Sequence, residues 1–243
     1  MLVTGAYEKA KQYLDSHTRD YSAHISERKI FQPGPCINIS RETGAGAGEV
    51  AENLIDFLKL KSKSSNPSWG VFDKNLIEKI LEDHNLPKSV ADYLSEQKTS
   101  SLRSMMNEIF GIHPSILNLV HKTSQTILNL ARMGNVIIIG RAANLITSSL
   151  ENVYNVRLVA PIRNRIQRVM KYYDLSETEA DNFVKKEDHA RVGYVKKYFN
   201  ADLNRFDQYH LVINTGLISI TETAEMIGSQ ILKKFPDQFI SIS

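Results

Sequence analysis

Glycine recurs at every second position in the segment Ser40-Arg41-Glu42-Thr43-Gly44-Ala45-Gly46-Ala47-Gly48-Glu49. Alternating glycines let a backbone turn tightly and approach a ligand closely. The segment follows the apolar run Cys36-Ile37-Asn38-Ile39. It precedes Val50, Ala51, Leu54, Ile55 and Leu58, which have helical spacing. A turn between a strand and a helix aims backbone N–H groups at an anion; a Gly-rich connection without a ligand is the plain alternative. Further along, Arg141 follows Gly140 directly after four apolar residues. From Asn152 to Tyr173 the chain carries Arg157, Arg163, Arg165, Arg168 and Lys171 and no acid. Asp188 and Arg191 stand one helical turn apart, where an ordinary ion pair forms. Guanidinium groups suit phosphate, because their planar donors engage two oxygens at once. The chemistry these types imply is the handling of a phosphorylated ligand.

The turn departs from the phosphate-binding pattern G-x-x-x-x-G-K-[ST]. Ala47 stands where the Lys is expected, and Glu49, one residue beyond the pattern's hydroxyl position, is taken as the counterpart of the Mg²⁺-binding hydroxyl. An ammonium about 4 Å from a phosphate is worth up to ~4 kcal/mol at an effective dielectric of about 20. Losing that in a transition state costs as much as ~10³ in rate. Another cation must compensate, or the site does not transfer phosphate efficiently. Glu49 can bind a metal, or repel phosphate when no metal is present.

The segment Ile37-Asn38-Ile39-Ser40-Arg41-Glu42-Thr43-Gly44-Ala45-Gly46-Ala47-Gly48-Glu49-Val50-Ala51 resembles the first motif of the cytidylate kinase-like family, whose members also lack the Lys. The resemblance covers roughly residues 36–233. It implies that Thr43, Gly44, Ala45, Gly46, Ala47, Gly48 and Glu49 hold ATP with Mg²⁺, and that Arg41 is the substitute cation. It makes Arg163, Arg165 and Arg191 catalytic cations, the first two from a lid that follows the fourth strand. It implies that Arg141, Asp188, Arg191 and Asp73 bind the acceptor. The family's Gly-Arg-Asp reads Gly140-Arg141-Ala142 here, and its Asp-x-x-Arg is matched by Asp188 and Arg191. Helix capping explains Asp73 on its own, and accounts equally for Asn214-Thr215-Gly216, which is similar to a family segment near the base.

The elements that must position these residues alternate. Strands are expected at Cys36–Ile39, Val71-Phe72, Val136–Ile139, Val153–Ala160 and Leu211–Ile213. Helices are expected at about Ala6–Leu14, 48–60, Ile116–Arg132, 162–173 and Thr221–Lys234, with a helical pattern at Leu76, Ile77, Ile80 and Leu81. In the helix at 162–173, Ile162, Ile166, Val169, Met170 and Tyr173 form a core face. Arg163 and Arg165 flank it, and Arg168 and Lys171 point to solvent. Residues 61–69 read as a loop, and 82–115 as polar and helical in patches. Short apolar strands between helices imply an α/β fold, a parallel sheet with helices on both faces. Ligands then bind at the carboxyl ends of the strands. With the resemblance, this becomes a three-layer P-loop NTPase-type sheet with helical NMP-binding and lid segments. Residues 1–35 are expected to form a helical extension that ends in Pro33-Gly34-Pro35, and 36–243 one domain.

The bulk numbers exclude several classes. Of 243 residues, 42% are apolar and 23% charged, as in a soluble globular protein, and the net charge of +3 leaves no nucleic-acid footprint. Cys36 alone cannot make an internal disulfide. The first twenty residues lack a signal-peptide core, and no apolar run spans a membrane. The His residues show no metal-binding spacing, so no protein-held metal is expected. The expectation is a cytoplasmic nucleotide phosphotransferase, with ATP and Mg²⁺ as cofactors and a CMP-like acceptor. Its partners are small nucleotides rather than nucleic acid or membrane, and a homodimer stays open. The alternatives are a nucleotide-binding regulator without turnover and a kinase for a non-nucleotide acceptor.

Overall fold

Strand and helix alternate in the order β1 (Cys36–Arg41), α1 (Ala47–Lys61), β2 (Gly70–Phe72), α2 (Pro114–Met133), β3 (Val136–Ile139), α3 (Ala143–Ile146), β4 (Val153–Val159), α4 (Ile162–Tyr173), α5 (Glu177–Phe199), β5 (Leu211–Asn214) and α6 (Ile220–Lys234). These come from a computed structural model that describes residues 9, 10, 12–14, 16, 17, 33–63, 68–75, 77 and 114–240. The strands form one parallel sheet flanked by helices, in the order β2-β3-β1-β4-β5. The expected strands and the helices after residue 113 are all present, within about two residues at their ends. Residues 9, 10, 12–14, 16 and 17 are helical, the last two beyond the expected end at Leu14. Leu76, Ile80, Leu81, residues 64–67 and the stretch 82–113 lie outside the described residues.

The chain divides into two compact units, Met1–Cys36 with Ser65–Val153, and Ile37–Ser64 with Tyr154–Ser243. In the first, the β-branched run Val136–Ile139 is wholly buried. It pairs with β2 in the register Gly70↔Val136 to Phe72↔Ile138. Gly134 ends α2 and aims the chain into β3. It has φ +80°, and an added Cβ would lie 2.4 Å from the backbone N and O of Gly34. Tyr13 Oη donates to its carbonyl at 2.5 Å.

In the second unit, the Glu42 N–H donates to Leu158 O at 3.0 Å, next to the end of β1. β4 and β5 pair from Val156↔Leu211 to Val159↔Asn214. α1 buries Val50, Ala51, Leu54 and Leu58, and packs on α6, which buries Ala224, Ile227 and Ile231. α4 and α5 pack on each other around Val169, Ala180 and Val184, with Ile166, Met170, Leu175 and Phe183. Their three-residue connection is sharply defined. Asp174 closes α4 in the left-handed region (φ 54°), and Ser176 opens α5 with a capping box to Glu179.

The expected core face of α4 needs correction. Ile162 and Tyr173 are 45% and 47% exposed. The apolar stripe of α4 meets α5, a single helix, and one helix covers only its middle.

Gly134→Ala adds a left-handed strain of about 1–2 kcal/mol to a backbone collision that costs about 1–3 kcal/mol. Urea unfolding should therefore show a loss of more than about 2 kcal/mol; an unchanged midpoint would mean that this turn relaxes freely.

Candidate functional site

The stripe that α5 turns inward reads Ala180, Val184, Asp188, Arg191, Val195, with steps of four, four, three and four. Such spacing keeps all five on one face. Ala180, Val184 and Val195 are buried, as an inward stripe should be. A carboxylate and a guanidinium in the middle of that stripe must find partners inside.

Asp188 finds four donors. Its Oδ1 accepts from the Thr43 N–H at 2.8 Å, from Thr43 Oγ1 at 2.7 Å and from Arg191 Nη1 at 2.8 Å. Its Oδ2 accepts from Arg165 Nη1 at 2.5 Å. Arg191 Nη1 also donates to Thr43 Oγ1 at 3.0 Å. The sequence reading paired Asp188 with Arg191; Thr43 and Arg165 join them.

Two arginines of α4 grip the Gly-rich turn by its carbonyls. Arg165 Nη1 donates to Thr43 O at 3.3 Å and its Nε to Ala160 O at 3.0 Å, with Glu42 Oε2 3.5 Å from the same Nε. Glu42 in turn accepts from the Ala160 N–H at 3.0 Å. Arg168 Nη1 reaches Gly44 O at 3.4 Å and Thr215 Oγ1 at 3.0 Å, while Nη2 donates to Thr215 O at 2.6 Å. Thr215 Oγ1 donates to Ala45 O at 2.9 Å. The expectation that Arg168 points to solvent is therefore corrected. Arg165 and Arg168 are three apart and share one side of α4, and the apolar stripe beside them belongs to α5. Gly44 is required by this closeness: its φ is +80°, and a Cβ would sit 2.5 Å from Arg165 O.

The turn leads into α1 through Gly46, also left-handed (φ 81°), and no side chain caps the helix. The first helical amides belong to Ala47, Gly48 and Glu49. A helix start of this kind receives an anion by its amides and its dipole. Ala47 is buried, while Gly48 and Glu49 are exposed. Arg41 ends β1 half-buried, and Arg163 is exposed on α4.

Arg141 and Asp73 belong to the other unit. Arg141 follows β3 within three consecutive left-handed residues, Gly140 (φ 83°), Arg141 (φ 52°) and Ala142 (φ 58°). Such backbone is costly for residues with a Cβ and persists where the surroundings impose it. Asp73 follows β2, and its carbonyl accepts from the Ile77 N–H at 3.0 Å.

Two residues of the cluster are not among the expected catalytic or binding residues: Thr215, read as a cap or as part of a segment near the base, and Ser40, read only as part of the first motif. Ser40 Oγ accepts from Arg157 Nη1 at 2.8 Å and from Tyr209 Oη at 3.3 Å. A signal was present. Asn38 and Ser40 alternate along β1, Asn155 and Arg157 along β4, and all four are buried. Asn38 Nδ2 donates to Asn155 Oδ1 at 2.9 Å, so the two strands join polar to polar at both levels.

The described residues contain no cluster of three or more His, Cys, Asp or Glu able to hold a metal, and no described helix is long and apolar enough to cross a membrane.

The model of the cytidylate kinase-like family matches residues 36–217. A crystal structure of an uncharacterized protein from Eubacterium ventriosum ATCC 27560 superposes with a TM-score of 0.64 at 21% identity, over 82% of this chain and 98% of that one. That likeness speaks of fold alone. A shikimate kinase structure from Bacteroides thetaiotaomicron gives a TM-score of 0.40 at 13% identity, over 83% and 98%, too low to argue from. A uronate isomerase from Corynebacterium glutamicum is 25% identical over 118 residues, 49% of this chain and 23% of that protein. The chain thus spans about a quarter of that relative's length.

Acid should loosen the Asp188 clamp. Burial pushes this carboxyl up, but the Thr43 donors and the Arg165 guanidinium outweigh burial and hold it below its ordinary value. The unfolded chain therefore takes up the proton first. The clamp's contribution is full above about pH 3.9, the ordinary Asp value, and is lost as pH falls through the lower folded value. Melting temperature should fall more steeply with acid in the wild type than in Asp188→Asn; parallel curves would show that the clamp carries none of the acid dependence.

Proposed function

Since the chain belongs to the cytidylate kinase-like family, we propose that it is a nucleotide phosphotransferase that moves the γ-phosphoryl group of ATP to a nucleoside monophosphate of the CMP type. The observation that carries this reading is the charge around the turn. Arg165, Arg168 and Arg191 surround a Gly-rich turn whose helix start has no side-chain cap. Among the described residues, Asp188 and Glu42 are the carboxylates that answer them within ion-pair distance. Such a site favours a ligand with several negative charges.

ATP fits the uncapped start of α1, with phosphate oxygens on the amides of residues 46–49. Glu49, exposed in the first turn, is the carboxylate that would meet Mg²⁺, an ion that takes one or two carboxylates beside phosphate oxygens. Mg²⁺ supplies neutralisation of the β- and γ-phosphate charge. The chain's own residues do the rest. An oxygen of the acceptor phosphate forms the new bond to the γ-phosphorus; the bond to the β–γ bridging oxygen breaks, and ADP leaves with the electron pair. No protein nucleophile is needed, so catalysis is positioning and charge stabilisation. In place of the missing Lys, the charge comes from Arg165, Arg168 and Arg191, with Arg41 kept as a candidate.

One observation favours the second reading, a nucleotide-binding regulator. Asp188 already holds the Thr43 N–H, so the turn carries an internal anion.

The test is transfer from ATP–Mg²⁺ to a panel of nucleoside monophosphates with product analysis. CDP or another diphosphate should form, and Arg191→Ala should lower kcat/KM by about 10²-fold or more. ATP binding without any diphosphate product would overturn the phosphotransferase reading in favour of the regulator or of a non-nucleotide acceptor.

A further inference from the structure

Arg157 is a buried cation that no carboxylate of the described residues answers. It leaves β4 on the side that also carries Asn155, facing Ser40 of β1, and is 5% exposed. A guanidinium has five N–H donors. Among the described residues, Arg157 engages a single hydroxyl, Ser40 Oγ, at 2.8 Å. Its Nε is buried and has no hydrogen-bond partner. No carboxylate of the described residues comes within ion-pair distance of it. An isolated buried charge is costly, and a fold keeps one where an opposite charge is supplied.

Its surroundings add charge of the same sign. Arg191 is close enough for the two guanidiniums to repel; burial weakens the hold of Arg191 on its proton, and Arg157 acts in the same direction against the pull of Asp188 and Glu187. The Asp188 carboxylate is already shared among Arg191, Arg165 and Thr43. Hydroxyls line the same place: Tyr209 Oη lies 3.3 Å from Ser40 Oγ, and Thr43 Oγ1 lies 3.0 Å from Arg191 Nη1.

We propose that Arg157 and Arg191, with the hydroxyls of Ser40 and Tyr209, form a subsite for a phosphate dianion. A carboxylate would neutralise one of the two cations. A phosphate carries two charges and offers oxygens to both planar forks at once. The inference deepens the phosphotransferase reading and rests on it only for the ester that delivers the phosphate, which would be the acceptor monophosphate. Arg157 would then be a binding residue that adds to the charge absent at Ala47.

The experiment titrates the full-length chain calorimetrically with inorganic phosphate, and separately with CMP. Arg157→Met keeps the bulk and removes the charge; Arg157→Lys keeps the charge and removes the fork. Arg157→Met should weaken binding about tenfold or more, and Arg157→Lys several-fold. The ligand-free Arg157→Met protein should melt at or above the wild-type temperature, because the uncompensated charge is gone. Loss for both ligands means that the subsite takes the free ion as well as the ester; loss for CMP alone assigns it to the ester. Affinities within twofold of wild type for both ligands would overturn the proposal. So would a lower melting temperature in Arg157→Met with binding kept. Should Arg157→Met fail to fold, Arg157→Lys decides by the same twofold criterion. Arg157-dependent phosphate binding in a protein that transfers nothing from ATP keeps this inference and removes the phosphotransferase reading. Transfer with the affinities for phosphate and for CMP both indifferent to Arg157 does the reverse.

Discussion

One carboxylate organises the second unit. Asp188 accepts from the backbone and hydroxyl of Thr43, from Arg165 of α4 and from its helical neighbour Arg191. Its two oxygens thereby tie the start of the Gly-rich turn to both helices that follow β4. Without it, two guanidiniums would face each other with no shared anion, and removing one partner of such a buried pair leaves the other charge uncompensated. The apolar stripe of α5 explains why the carboxylate sits there at all. It lies half-buried in line with the core positions Ala180, Val184 and Val195, where the Thr43 and arginine donors meet it.

The turn lacks a cation of its own, and its neighbours bring several. An ammonium on the turn would move with the turn. The guanidiniums of Arg165 and Arg168 instead project from α4, and that of Arg191 from α5. Each grips a carbonyl or hydroxyl of residues 43–45 or of Thr215. A rigid helix delivers such a group with less loss of rotamer freedom than a mobile loop, and the planar fork leaves further donors for a ligand. Charge at this site is thus a property of the α4–α5 pair, whose packing around Val169, Ala180 and Val184 sets where the arginines stand.

Much of this was legible in the residues. Four β-branched residues in a row could only be the buried strand β3, and alternating glycines between a strand and a helix announced the turn. Asp188 and Arg191 were paired from their spacing alone. Arg168 was misread, because a helical wheel shows which residues share a side but not what lies opposite. The apolar side of α4 reads as a core face that leaves Arg168 in solvent; it faces α5, and the side of Arg165 and Arg168 faces the turn. Thr215 reads locally as a cap or, by the resemblance, as part of a segment near the base, and nothing local reveals its contact across 170 residues to Ala45. Arg157 stands among the basic residues of 152–173, inside a strand buried along most of its length. The alternation Asn38-x-Ser40 and Asn155-x-Arg157 was the available clue. Polar residues at every second position of two buried strands must pair with each other or with a ligand.

Ala47 is intelligible against this charge balance. Arg157, Arg165, Arg168 and Arg191 gather around the turn and its strand, while two carboxylates, Glu42 and Asp188, meet them within ion-pair distance. A Lys at position 47 would add a further cation to a place already short of anions, and unit charges 4 Å apart repel by about 4 kcal/mol at an effective dielectric of 20. An ammonium is therefore more costly here than in a turn whose neighbours are neutral. A small side chain at 47, buried against the turn, avoids that repulsion and leaves the helix amides open. The unanswered positive charge is then held by groups that cannot lose their protons, and an excess of two is the charge of one phosphate dianion.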